Sequence, residues 1–487
     1  MHELIVPTEV KISEIMKKGS LSPNNYKKLE IKNPSQNEIR YYLNPKNPFI
    51  KGIEPGSSAY VNKSSQVFLR NSCINDIRFS HEKEKYIYLN PKYYDDSMVE
   101  NEDILFCTDA NIGECGLFIG DGEKIIFSSG MIKLNFVDEC KKYYVMGLMR
   151  DDYFKEQLKA LTPKGSTIKH SGDLFLNCLI PDCPHEWIYS MMEHLIKNIT
   201  YTEHICNSKL RETERIINNE LMVTEYDYEN PSIFQLQQKI RLDSGIYSNQ
   251  VFQWRKNVEN YKHGFSDLTG FGFKTQRGPS LQKRDLGRSI QTEHYRKGYN
   301  LLIYPSDISS SGYIEKVTYL GARNRVWFLG EKYILFSSEG TIGKTFVVCD
   351  DSMNFTTNIH GTMIYPLNMK TDISKSIFLG LYLNYLRNSG VLNKMSVGAN
   401  GGSFAVGYWD NIIIPNVSDD FMKSLSLIYN NPSDLNPTVF SLDAIKSAGI
   451  YQLNNFLIKC KAMLDTLCGD IKTNSVQTED YYNNYII

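Results

Sequence analysis

The segment Ile104-Leu105-Phe106-Cys107-Thr108-Asp109-Ala110-Asn111-Ile112-Gly113 returns later in the chain as Ile334-Leu335-Phe336-Ser337-Ser338-Glu339-Gly340-Thr341-Ile342-Gly343. Three consecutive apolar residues, then polar ones, then a closing Ile-Gly, is the pattern of a short buried strand entering a turn. Working outward from these two segments, further pairs recur in the same order. Leu21-Ser22 with Tyr26 matches Leu242-Asp243 with Tyr247, and Phe127-Ser128-Ser129 matches Phe355-Thr356-Thr357. The amphipathic stretch 143–158 matches 377–392, and the Gly- and Ser-containing loop 164–173 matches 397–407. Finally Leu179-Ile180-Pro181 matches Ile413-Ile414-Pro415. Any one pair is weak; all of them in register predict an internal duplication.

Beyond each Ile-Pro the texture of the chain changes. Residues 185–222 contain neither Pro nor Gly, and Trp187, Ile188, Met191, Met192, Leu195, Ile196 and Ile199 recur at helical spacing. Near the C-terminus Ile450, Leu453, Phe456, Leu457, Cys460, Met463, Leu464 and Leu467 repeat the pattern. A helix of about 38 residues is roughly 57 Å long, more than the width of a small domain. Two such stripes can satisfy each other as an antiparallel coiled-coil pair. The same stripes also suit core helices of one compact domain.

Composition bounds the function. The chain has 487 residues, 41% hydrophobic and 22% charged, within the range of globular proteins. No apolar run approaches the roughly 18–20 residues of a membrane span, and the first residues lack a secretory pattern, so the expected compartment is the cytoplasm. Ten scattered cysteines with no Cys-x-x-Cys agree with reduced thiols. His170, Cys178, Cys183 and His185 could supply zinc ligands, but the apolar run 174–180 between them reads better as a strand with buried thiols. No metal is expected. Net charge is −1, which does not favour nucleic-acid binding, yet residues 274–297 hold seven Lys or Arg against two acids.

The order globule, long helix, globule, long helix, together with Arg241-Leu242-Asp243 and Tyr247, the two Ile-Leu-Phe…Ile-Gly turns and the two Ile-Pro strand ends, resembles the specificity subunit of type I restriction–modification enzymes. The resemblance runs from about residue 12 to 470. It implies an α/β protein with two similar target-recognition domains of mixed or antiparallel sheet. The expected boundaries are 12–183 and 226–416 for the recognition domains. Spacer helices are expected at 184–225 and 417–470, then a polar tail at 471–487. It further implies a chain without catalytic residues that reads a bipartite site in double-stranded DNA, each domain taking one half. Two adenine-N6 methyltransferase subunits carrying S-adenosylmethionine, and in some complexes restriction or translocase subunits, dock on the helices. Trp187, Met191, Leu195, Ile199, Leu453, Leu457 and Leu464 are the expected docking positions. The head motif is degraded in the first half, where Leu21-Ser22 stands in place of Leu242-Asp243.

Rival chemistry has weak support. Ser338 to Thr345 ends in Gly343-Lys344-Thr345 after an apolar strand, close to a phosphate-cradling loop, but Ser338 stands where that loop needs Gly or Ala. Asn90-Pro91-Lys92-Tyr93 lacks the second proline of an adenine clamp, and Gly270-Phe271-Gly272 is too short a signal for a cofactor loop. A two-module scaffold for a ligand other than DNA is a further alternative. Expected DNA contacts are Arg277, Lys283, Arg284, Arg288, Arg296, Lys297, Arg323 and Arg325 in the second half. Asn400 and Ser403 of its Gly-rich loop join them, with Lys63, Ser65, Arg70 and Arg78 in the first half. Lys83 and Lys85 are further basic candidates there, and Asn62, Ser64, Ser65 and Gln66 could supply neutral base-edge hydrogen bonds. The same residues also suit ordinary solvated loops.

Overall fold

The computed structural model describes residues 3–5, 7–18, 21, 26, 28–92, 97–162, 170–234, 236, 243–398 and 402–484. Ser22, Arg241, Leu242 and Asn400, and the loop stretch 164–169, lie outside the described residues. The chain divides into two compact units: residues 1–204, 436–441 and 459–487, and residues 205–435 and 442–458.

The first unit holds strands β1 (Glu3–Ile5), β2 (Lys28–Glu30), β3 (Gln36–Glu38), β4 (Phe49–Lys51), β5 (Tyr60–Val61) and β6 (Gln66–Leu69). It continues with β7 (Ile87–Leu89), β8 (Ile104–Cys107), β9 (Cys115–Leu117), β10 (Lys124–Phe127), β11 (Met131–Leu134) and β12 (Leu179–Pro181). Two four-stranded sheets result, in the orders β4-β11-β8-β9 and β10-β6-β7-β5, with the pairs β12-β3 and β1-β2 beside them. The core lies between the sheets, where Val67, Leu69, Ile125 and Phe127 meet Leu105, Cys107 and Met131.

The second unit holds β13 (Phe265–Ser266), β14 (Phe273–Arg277), β15 (Ser289–Thr292), β16 (Asn300–Leu302) and β17 (Thr318–Ala322). It continues with β18 (Ile334–Ser337), β19 (Thr345–Val347), β20 (Phe355–Thr356), β21 (Gly361–Pro366) and β22 (Ile414–Pro415). Its sheets run β14-β21-β18-β19 and β15-β17-β16-β20, with the pair β13-β22. Adding ten to each strand number of β3 to β12 reproduces this topology without exception. The parallel pair recurs too, β6 with β10 and β16 with β20. Residues that pair across the sheet give the alignment directly: Ile132 faces Phe106, as Thr362 faces Phe336.

The helices that bear on the site are α1 (Lys142–Met149), α2 (Asp152–Leu161), α3 (Trp187–Leu221) and the short α4 (Lys283–Leu286). They are joined by α5 (Ile373–Asn388), α6 (Val391–Met395), α7 (Asp419–Tyr429) and α8 (Ile450–Thr473). The Ile-Gly turns serve the same purpose in both units. Gly113 and Gly343 have φ of 90° and 86°, a region that favours glycine. A Cβ on Gly113 would stand 3.2 Å from Leu158 of α2, and one on Gly343 2.6 Å from Leu392 of α6. The expected match of Phe127-Ser128-Ser129 with Phe355-Thr356-Thr357 needs a shift of two residues. Met131 N donates to Ser128 O and Gly361 N donates to Asn358 O, so Ser128 corresponds to Asn358.

The first long stripe is the single helix α3. The C-terminal stretch is not one rod, because α7 is separated from α8 by a segment that includes the loop 430–441. Within the first unit α3 and α8 run antiparallel. Glu203 meets Lys461 at 3.0 Å, while Met192, Ile196 and Leu464 converge on Gly147. Glu203 is fully buried, and its Oε2 accepts from Phe79 N (2.9 Å), Ser80 N (3.0 Å) and Ser80 Oγ (3.1 Å). A buried carboxylate needs such a set of donors to offset its lost hydration.

His81 is buried between the rings of Phe118 (4.8 Å) and Tyr86 (5.6 Å), and burial pushes its pKa down to about 3. The unfolded chain, with an ordinary histidine, takes up a proton near pH 6.5, so folding stability falls as pH drops from there towards 3. His81→Phe should flatten the urea midpoint of the first unit across that window; an unchanged slope would contradict the burial. Glu203→Leu strands three donors and the Lys461 ammonium, and should cost that unit about 3–5 kcal/mol in denaturant titration. A cost below about 1 kcal/mol would show that the carboxylate is dispensable.

Candidate nucleic-acid interface

The basic segment of the second unit is carried on a small core of its own. Leu286, Leu302, Leu320 and Val326 pack together, with Leu281, Tyr304, Ala322 and Phe328 against them. The short helix α4 buries Leu286 and leaves Lys283 and Arg284 exposed. Gly287, at φ 68°, turns the chain into β15, the edge strand of its sheet.

The turn after β17 is pinned to this one. Arg323 N donates to Arg288 O (3.0 Å), Asn324 N to Leu286 O (3.1 Å) and Asn324 Nδ2 to Asp285 O (3.0 Å). These bonds gather Lys283, Arg284, Arg288, Arg323 and Arg325 at one end of the sheet, all exposed. Their acidic neighbour is Asp285, 3.6 Å from Arg284. Arg296 and Lys297 are also exposed, but they come after β15 at its other end, where Arg296 lies over Tyr299. Asn324 was invisible to a reading of charge, because its carbonyl partner is distant in sequence.

Arg277 belongs to the other sheet and to a second group. Its Nε donates to Ile359 O (2.8 Å) and its guanidinium meets Glu339 at 3.3 Å. Glu339 also accepts from His360, and its backbone bridges to Ser403. Ser403 is half-buried, with both its backbone N–H and its carbonyl bonded to Val397. The first unit has a related pair at the same turn, His170 with Asp109 at 2.8 Å.

The first unit corrects several expectations. Lys63, Ser65 and Arg70 are exposed, but Arg78 is buried and does not offer its guanidinium to a ligand. Gln66 is fully buried on β6 and cannot reach a base edge. Lys83 is held by Asp121 (2.6 Å) and Glu123 (3.1 Å), and Lys85 by Glu82 (2.9 Å). The helix positions need correction as well. Met191, Leu195, Ile199, Leu453, Leu457 and Leu464 are all buried within the chain, so these side chains are core and not a free docking face. Trp187 is half-buried against Tyr482.

The Gly343-Lys344-Thr345 turn does not lead into a helix. It opens β19, which pairs antiparallel with β18. Lys344 Nζ donates to Ser306 O (2.9 Å) and Thr345 Oγ1 to Gly380 O (2.9 Å). A phosphate cradle needs amides pointing inward at a helix N-terminus, and a β-hairpin has none. Cys178 is buried, and among the described residues no group of three or more His, Cys, Asp or Glu is placed to hold a metal. All ten cysteines are free thiols, and no described helix is long and apolar enough to cross a membrane.

The class these features define is a duplicated α/β protein with a fixed basic edge on its second copy. No family model matches the chain, and no curated protein matches it. Among solved structures, it is similar to the S subunit of a type I restriction-modification system from M. genitalium. That match has 13% identity and a TM-score of 0.42, and covers 91% of this chain and 96% of the other. It is similar also to the HsdS subunit from Thermoanaerobacter tengcongensis, at 13% identity and a TM-score of 0.29, covering 91% and 98%. A third similar chain comes from a study of complex assembly and conformational transition of the type I R-M system, at 13% identity and a TM-score of 0.28, covering 91% and 99%.

ATP should leave the melting temperature of the wild type and of Lys344→Ala alike; a shift in the wild type lost in the variant would restore the nucleotide reading. Leu286→Ala should loosen the basic turns, so that amide hydrogen exchange rises at 283–288 and 323–325 while the first unit melts normally; unchanged exchange there would show that Leu286 does not anchor them.

Proposed function

We propose that this chain is the DNA-recognition subunit of a type I restriction–modification complex and performs no chemistry itself. The observation that carries the reading is the repeated topology: two units share one strand order and differ in the residues set on it. A duplicated frame with divergent surfaces suits a split DNA target whose halves differ in sequence. In this reading each unit takes one half-site. The edge formed by Lys283, Arg284, Arg288, Arg323 and Arg325 is the principal contact of the second unit.

Two adenine-N6 methyltransferase subunits, each holding S-adenosylmethionine, are the proposed catalytic partners, joined in some complexes by restriction or translocase subunits. The apolar stripes of α3 and α8 are consumed inside the chain, so docking uses the exposed polar positions of α3, among them Arg211, Glu212 and Arg215. The proposed compartment is the cytoplasm, where DNA and the methyl donor are available.

Binding of the full chain, with its methyltransferase, to duplex DNA should weaken steeply with salt. Six or more neutralised phosphates correspond to a loss of roughly a thousandfold between 50 and 200 mM. Selection from a random duplex pool should return a two-part sequence with a fixed gap. Binding without salt dependence, or to glycan or protein instead, would favour the scaffold alternative. Charge reversal at Arg211 and Arg215 should reduce co-purification of the methyltransferase without altering the melting temperature; unchanged co-purification would move docking off this part of α3.

A further inference from the structure

The cross-sheet register singles out a basic position in each unit, away from the edge formed by Lys283 to Arg288. Reading across the first unit's sheet, Lys51 pairs with Ile132, Ile132 with Phe106, and Phe106 with Cys115. In the second unit Arg277 pairs with Thr362, Thr362 with Phe336, and Phe336 with Thr345. Lys51 and Arg277 therefore occupy the same place, the last residue of an edge strand, and both are exposed.

The backbone beyond them is fixed in the same way. Gly52 N donates to Met131 O (3.1 Å) and Gly278 N to Gly361 O (2.8 Å). A Cβ on Gly52 would fall 2.2 Å from Ser128 O, and one on Gly278 2.0 Å from Asn358 O, so neither position has room for a side chain. Each glycine seats the strand end against the equivalent carbonyl, directly after the exposed cation. Arg288 of the basic edge does not keep its place: by the register of β5 and β15 it corresponds to Ser57.

The two positions share charge, not shape. An ammonium and a guanidinium both attract an anion, but only the guanidinium presents the planar fork that discriminates a guanine edge. The sugar–phosphate backbone is common to any two half-sites, whereas their bases differ. We propose that Lys51 and Arg277 are a matched pair of duplex-phosphate contacts, one in each unit, that set register without reading sequence. Ile359 O accepts from Arg277 Nε and Glu339 engages Nη2, so the fork is partly occupied and suits a single phosphate oxygen better than a bidentate base edge. This pair rests on the DNA-recognition reading proposed for the chain.

The test measures binding of the full chain to a random-sequence duplex against salt concentration, together with sequence selection from that pool. Lys51→Ala and Arg277→Ala should each lower the slope of log affinity against log salt by about 0.9, with the selected sequence unchanged. Lys51→Arg and Arg277→Lys should retain both slope and selected sequence, with circular dichroism confirming folding of all four. A wild-type slope in either alanine variant, or a changed base preference in Arg277→Lys, would overturn the proposal while leaving DNA recognition intact. Absence of salt-dependent duplex binding by the wild type would instead remove the recognition reading and this pair with it.

Discussion

The buried polar side chains of α3 impose the constraint on which each unit depends. In the first unit the Glu203 carboxylate, without solvent, takes its donors from Phe79, Ser80 and Lys461. In the second unit Asn207 of the same helix bonds Ser311, and Asn454 of α8 accepts from Ile314 N (2.7 Å). The loops so held, between β6 and β7 and between β16 and β17, are counterparts in the duplication. An apolar stripe alone would let a globule slide along a helix. A buried donor or acceptor tolerates no such slide, because a lost partner leaves the full desolvation cost uncompensated.

On that footing the two units vary only where packing permits. Phe68 and Leu89 in the first unit, with Ala59 and Ile126, form the small core that Leu302 and Leu320 form in the second. Over it the first unit places Tyr60 and Val61, and the second places a longer edge strand flanked by Lys and Arg. The pairing of strands and the small core beneath them are kept, since each depends on backbone bonds and volume. The exposed side chains above bear no such load and are free to diverge, as surface loops are. The frame is held by backbone bonds, and the charges it carries differ between the two copies.

The near-zero net charge illustrates the same separation. Lys83, Lys133, Lys197 and Lys472 are each paired with a carboxylate inside the first unit, and so contribute little outward field. The cations at 283–288 and 323–325 have one acid among them. Total charge counts both groups alike, although only the second can meet a polyanion.

Local pattern carried the frame. The Ile-Leu-Phe strand ends, the Ile-Gly turns and the long Pro- and Gly-free stretch at 187–221 were legible in the sequence, because period-two and period-3.6 burial is written into consecutive residues. The tertiary structure alone decided the parallel pairing of β6 with β10, the two-residue correction at Ser128 and Asn358, and the break in the C-terminal stretch at 430–441. It alone decided also that Arg78 and Gln66 turn inward, that Lys83 is neutralised, and that the 323–325 turn is bonded to 285–288. Each of these depends on hydrogen bonds, ion pairs or packing between residues far apart in the chain, which strand order brings together. No local spacing encodes that order.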